Sequence, residues 1–267
     1  MLKYPRVLFF CGFRLLWDYT FYLWRYARHP ERTSIEARYA RVRKLIHYIL
    51  DHFRIDWKVE GIENLQALEK NNQCYLLVAN HVSDLDPLAI VYLSEKPISF
   101  VAKKETRKMP FIGTAVKALD GYFMDRGDLR QSFEVIHGVE ERLKTGHCSY
   151  VIFPEGTRNK WPETTGVAPF HPGSFKAGMN PNVPILPLAL YGTFRPFHSH
   201  PDYKRNPLEF TYFPAFTPEQ YQRIPSTELA QKTYGLVADE VAHDKEIDHA
   251  FLAEGKEKIP LGKGPVR

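Results

Sequence analysis

Cysteine is scarce in this chain of 267 residues: Cys11, Cys74 and Cys148 are the only three. Odd in number, scattered and without a CxxC spacing, they offer neither a disulfide framework nor a zinc ribbon, and they fit a reducing cytoplasm. No HxxxH pair occurs, and no GxSxG elbow of the kind that presents a serine nucleophile. Internal repeats and low-complexity tracts are also missing. A long uninterrupted apolar run is lacking too. Residues 7–24 come nearest, yet Arg14 and Asp18 stand in their middle. Each of those charges would cost roughly 2.5–3.5 kcal/mol at the centre of a bilayer, which argues against a spanning helix. The same charges, with no small-residue cleavage site after them, argue against a cleaved signal peptide.

What is present is an ordinary globular composition, 44% hydrophobic and 25% charged, long enough for one large α/β domain. The net charge of +5 is unevenly distributed. Residues 1–60 hold 12 Lys and Arg against 6 Asp and Glu, while residues 61–267 hold 24 against 25. A basic arm suits nucleic acid or an anionic membrane. Projected on a helix, Lys3, Arg14, Asp18, Arg25 and Arg28 fall within a sector of about 80°, and Leu, Phe, Trp and Tyr fill the rest. That pattern predicts a helix lying in the membrane interface. Nucleic acid is disfavoured, because the aromatics do not interleave with the basic residues as stacking platforms would. A second helix is expected from Ser34, with Ile35, Tyr39, Val42, Ile46, Ile49 and Phe53 on one face. The two make a helical hairpin over residues 1–56, ahead of a domain at 57–267.

In that domain short apolar runs alternate with helical patterns. Strands are expected at 74–80, 98–103, 121–125, 148–154, 183–190 and 209–216, with a shorter one near 57–62. Helices are expected at 87–95, 110–119, 130–145, 173–180 and 226–243. Runs such as Tyr75–Ala79 (YLLVA) are apolar at successive positions, as strands covered on both faces are. The alternation predicts an α/β fold with a mostly parallel or mixed sheet flanked by helices, and ligands beyond the carboxyl ends of its strands. Residues 159–172 read as a long loop and the last dozen residues as a loose tail.

Four segments at strand ends carry chemistry. In Asn80-His81-Val82-Ser83-Asp84-Leu85-Asp86, Asp86 followed by Pro87 is a natural helix start. The same tight connection can return the Asp86 carboxylate to one nitrogen of His81, leaving the other to accept a proton. Metal ligation by His81, Asp84 and Asp86 is the competing reading, and one His with two carboxylates makes an incomplete site. In Gly121–Gly127 (GYFMDRG), Arg126 is placed to hold an anion, or to pair with Asp125 or Asp128. In Phe153–Asn159 (FPEGTRN), Gly156 permits a sharp turn between Glu155 and Arg158. Val183–Pro187 (VPILP) holds two prolines and is expected at a sheet edge or a bulge.

Taken together and in this order, the four segments resemble the blocks of the glycerolipid acyltransferase family, in particular its 1-acyl-glycerol-3-phosphate acyltransferases. The resemblance spans residues 80–187. The NHx4D and FPEGTR blocks are its most specific parts, and Met124 departs from the branched aliphatic usual there. It implies acyl transfer from a thioester, acyl-CoA or acyl-carrier protein, to the hydroxyl of a lysophospholipid acceptor. No bound cofactor or metal is implied. His81 would be the general base and Asp86 its orienting partner. Arg126 and Arg158 would hold the phosphate, with Glu155, Gly156 and Thr157 shaping its pocket. Residues 1–60 are similar to the helical hairpin of family members that lack true spans; with the interfacial helix and the cysteine usage, a peripheral, monotopic place on the cytoplasmic face of a membrane is expected. Alternatives in the same class are a transacylase, or an enzyme for another lysophospholipid or for glycerol 3-phosphate.

Overall fold

A computed structural model describes residues 5–196 and 206–253; Lys3 and the expected tail lie outside them. The chain opens with helix α1 (Pro5–Asp18), which passes through a π-helical turn at Tyr19–Leu23 into α2 (Trp24–Arg28). Helix α3 (Ile35–Asp51) is capped by the Ser34 hydroxyl, which accepts from Ala37 N. Then follow β1 (Ile55–Glu60), α4 (Ile62–Lys70), β2 (Leu76–Ala79), α5 (Asp86–Leu93), β3 (Ile98–Lys103), α6 (Ile112–Ala118) and β4 (Tyr122–Met124). Next come α7 (Leu129–Lys144), β5 (Ser149–Ile152), α8 (Gly173–Met179), β6 (Ile185–Tyr191), β7 (Asn206–Tyr212), α9 (Pro218–Tyr221) and α10 (Ser226–Ala253).

Among the described residues the strands form a seven-stranded sheet in the order β1-β7-β6-β2-β5-β3-β4. β6, β2, β5, β3 and β4 run parallel, β7 is antiparallel to β6, and β1 is parallel to β7. The fold is therefore α/β with a mixed sheet. Along β2, Leu77 and Ala79 enter one core with α3, α5 and α6, while Leu76 and Val78 enter the other with α7, α8 and α10. Both faces being covered explains a strand apolar at every position.

Several expectations need correction. Of the edge or bulge expected for VPILP the structure shows the bulge, one extra residue on the β7 side between the pairs Ile185–Phe216 and Leu188–Tyr212, and β6 itself is an interior strand. It tolerates Pro187 because the β6–β7 ladder begins only at Leu188, so the missing N–H falls where pairing is interrupted; Pro187 O still accepts from Phe213 N. The strand expected at 209–216 is β7, at 206–212, and α10 continues to Ala253. Helix α4 was not anticipated, although Leu65 and Leu68 are its buried positions. The expected division at 56/57 falls inside β1, and α3 shares one core with the sheet.

The charged stripe of the first helix also lies differently. Asp18 is buried, and it accepts from Arg14 at 2.5 Å and from Arg41 Nε of α3 at 2.7 Å. Charge therefore faces α3, and Phe13, Leu16, Trp17, Phe21 and Trp24 face outward. The π-helical turn, with its wider i→i+5 spacing, shifts the register after Asp18, so Arg25 and Arg28 leave the sector they would share in an unbroken helix.

Candidate active site

β2 ends at Ala79, and the two residues after it turn away from the sheet at its carboxyl edge. Asn80 is fully buried and continues the strand with its side chain. Its Nδ2 donates to Leu190 O and its Oδ1 accepts from Leu190 N, both at 2.8 Å, which fastens the end of β2 to β6. His81 follows with a side chain 17% exposed. Its ring stacks on Phe153 at the end of β5, with centroids 4.2 Å apart and planes 19° apart.

Asp86 is fully buried and is the first residue of α5, one position later than the expected cap. Its carboxylate turns back over the preceding loop. Oδ2 lies 2.8 Å from His81 Nδ1 and accepts from Val82 N at 2.8 Å and Ser83 N at 2.9 Å. Oδ1 accepts from the Thr193 hydroxyl. With Asp86 ionised, Nδ1 of His81 carries the ring proton, so the lone pair lies on Nε2. Among the described residues no hydrogen bond engages Nε2.

The FPEGTR loop comes against this pair from β5. Glu155 is buried, and its carboxylate spans two backbones: Oε1 accepts from His81 N at 2.6 Å and Oε2 from Ala168 N at 2.9 Å. Burial pushes this carboxyl up, opposed by the two amides it accepts from. Gly156 has φ +69°, and a Cβ there would stand 3.1 Å from the His171 ring, so the turn requires glycine. Thr157 is exposed beside it. Arg158 forms an ion pair with Asp84 of the His81 loop, and Asn159 N donates to His81 O at 2.8 Å. Arg126 stands exposed just past β4. It makes no salt bridge among the described residues, and Glu105 is the carboxylate whose charge it feels. Its expected partner Asp125 is taken by Lys104.

The fold thus brings His81, Asp86, Glu155, Gly156, Thr157 and Arg158 together, and sets Arg126 on the same edge of the sheet. Thr193 and the strand-locking amide of Asn80 escaped the sequence reading. Thr193 had no local signal, since its partner is 107 positions away. Among the described residues no cluster of three or more His, Cys, Asp and Glu could hold a metal ion; His198 and His200, an HxH pair, lie outside them.

A histidine held through Nδ1 by a buried carboxylate, with Nε2 unengaged, thus stands at the carboxyl edge of an α/β sheet beside the Arg158–Asp84 pair, the arrangement of a candidate enzyme site. A family model described as Acyltransferase matches residues 56–191, which is half of the chain, and the chain belongs to that family. It is 29% identical over 157 residues to the 1-acyl-sn-glycerol-3-phosphate acyltransferase of Saccharomyces cerevisiae, covering 59% of this chain and 50% of that one. Over 235 residues it is 26% identical to a probable enzyme of the same name from Mycoplasma genitalium, covering 82% and 83%. The chain spans about half the length of the yeast relative. In fold it is similar to the crystal structure of the 1-acyl-sn-glycerophosphate (LPA) acyltransferase PlsC of Thermotoga maritima. The TM-score is 0.63 at 24% identity, with 90% of each chain covered.

Proposed function

We propose that this chain transfers a fatty acyl group from acyl-CoA or acyl-carrier protein to the free hydroxyl of 1-acyl-glycerol 3-phosphate, giving phosphatidic acid. The observation that carries the reading is the His81–Asp86 pair with Nε2 unengaged. His81 Nε2 takes the hydroxyl proton as the acceptor oxygen attacks the thioester carbonyl, and Asp86 stabilises the imidazolium. The tetrahedral adduct collapses by breaking the C–S bond, and the departing thiolate recovers the proton from His81. No acyl-enzyme is needed. Burial pushes the Cys148 thiol up to about 12, and Cys148 precedes β5, at the opposite edge of the sheet from His81.

Arg126 and Arg158 hold the acceptor phosphate with Thr157, on the turn that Gly156 permits. Glu155 serves the pocket from behind, by fixing the backbones of His81 and Ala168. The reaction takes place at a lipid surface on the cytoplasmic side, where the chain is peripheral. Supporting this are the outward aromatic face of α1 and α2 and the basic excess of the first 60 residues. No helix of the described residues is long and apolar enough to cross a membrane.

The test gives purified protein a panel of lysophospholipids with both thioester donors, and compares acceptor-dependent acyl transfer with release of free fatty acid. Use of another lysophospholipid, or of glycerol 3-phosphate, in preference would move the acceptor assignment. His81→Ala should lose roughly 10²–10⁴-fold in kcat with its melting temperature kept. A near wild-type rate in that variant, or a folded but inactive Cys148→Ala variant, would overturn the mechanism.

A further inference from the structure

The turn after β6 carries a hydroxyl into the back of the catalytic pair. Thr193 is fully buried, and its Oγ1 donates to Asp86 Oδ1, the carboxylate oxygen that does not touch His81. Asp86 Oδ2 already takes His81 Nδ1 and the amides of Val82 and Ser83. With Thr193 the carboxylate has four donors, about as many as its lone pairs accommodate.

The turn itself is rigidly held. Gly192 has φ +83°, and a Cβ there would fall 2.1 Å from Arg195 Nη1 and 2.4 Å from Pro207 O. Arg195 N donates to Gly192 O at 2.9 Å, closing the turn. The buried Arg195 guanidinium meets Glu209 of β7 and Asp248 of α10, each at 2.9 Å. β6 therefore grips both ends of the NHx4D block, Asn80 through Leu190 and Asp86 through Thr193.

From this geometry we infer that Thr193 is a positioning residue for acyl transfer, acting through Asp86 to hold His81 with Nε2 toward the acceptor hydroxyl. The inference rests on His81 being the base. The charged groups facing the pair are Glu155, which holds the His81 backbone, and Arg158 with Asp84 at the mouth. Arg195 is committed to Glu209 and Asp248. None of these replaces the hydroxyl at Oδ1.

Thr193→Val keeps the shape of the side chain and removes the donor. Its kcat should fall roughly ten- to hundredfold, the rate equivalent of one hydrogen bond to a charged group, with little change in the acceptor KM. The acid limb of its pH–rate profile should move to higher pH, because a carboxylate with one donor fewer draws the His81 proton more strongly. Thr193→Ser should restore both. In an Asp86→Asn background Thr193→Val should add almost nothing, as expected for residues acting as a unit. The position of the limb does not depend on how much enzyme is folded, so a partly unstable variant still answers the question. Full kcat with an unmoved limb would overturn the inference. So would a Thr193→Ser variant as impaired as Thr193→Val, or a loss of rate and melting temperature with the limb unmoved. An active His81→Ala would overturn the base reading itself, whereas an inactive His81→Ala beside a fully active Thr193→Val would overturn the Thr193 role alone.

Discussion

Arg126 and Arg158 reach the mouth of the site in different electrical states. Arg158 already shares its charge with Asp84, while Arg126 makes no salt bridge among the described residues. On the proposed reading, an incoming phosphate competes with Asp84 for Arg158 but meets Arg126 unopposed by a contacting carboxylate. Arg126→Ala should therefore raise the acceptor KM more than Arg158→Ala does, and neither should change the donor KM much. Steady-state kinetics with each substrate varied in turn decide this; a rise confined to the donor KM would move both arginines to the thioester. His81, Asp86 and the FPEGTR loop were legible because their relation is local or resembles family blocks. The part of Glu155 was not legible. A carboxylate beside a glycine turn and an arginine reads as a ligand contact, and only the fold shows it buried between two backbone amides. Thr193 was invisible for the same reason, since sequence says nothing of β6 lying against β2.

Helix α1 was legible as amphipathic, but its polar side was assigned to the wrong neighbour. A buried aspartate between two arginines reads from sequence as one more surface charge, until α3 supplies Arg41. The consequence is that the outward face is more apolar than the stripe implied. Phe13, Trp17 and Phe21 touch no buried cluster, so changing all three to Ser should leave the fold intact and release the protein from anionic vesicles. For the unchanged protein, binding should weaken at high salt without vanishing, since apolar burial is not screened. Co-sedimentation at two salt concentrations reads both, and full sedimentation of the triple variant would place the lipid contact elsewhere. At the other end, α10 docks on β6, and its Asp244 carboxyl is held up to about 8 by burial, with Glu209 and Glu240 adding to it and Lys58 opposing. An unfolded Asp titrates near 3.9, so the folded chain binds the extra proton between about pH 4 and 8. Stability from this group is present below that window and lost as pH rises through it. The melting temperature should fall from pH 5 to 8.5 by less in Asp244→Asn than in the unchanged protein; equal falls would refute the assignment.

At the scale of the whole molecule, the doubly covered sheet was readable from strands with no polar face. Strand order and the reversal of β7 and β1 were not, because an apolar run carries no mark of its neighbour's direction. That order decides where exposed apolar surface gathers, and so where the proposed lipid contact would fall. β2, β5, β3 and β4 run the same way, so everything that follows them gathers on one edge, that of His81. On that edge Met109, Ile112, Leu129, Phe133 and Trp161 all lie exposed, Leu129 by 87% and Phe133 by 74%. The N-terminal helix joins them, since Tyr19 packs on Phe111 with ring centroids 4.7 Å apart and α2 lies along α6. Among the described residues the other large exposed apolar side chains are Leu236 and Ile247, both on α10. Apolar surface concentrated around one edge fits a molecule seated with its catalytic mouth against the bilayer, the helix and the loop tips making contact together. Arg107 and Lys108, in the turn just before Met109, make no salt bridge among the described residues and suit an anionic leaflet. Replacing Leu129 and Phe133 with Ser removes contact at the mouth and leaves the helix unchanged. The double variant should lose activity on a vesicle-borne acceptor while keeping it on a short-chain acceptor that is monomeric in solution. Equal activity of variant and unchanged protein on vesicles would mean that the helix alone holds the protein to lipid; equal loss on both substrates would mean that the two side chains serve the site and not the surface.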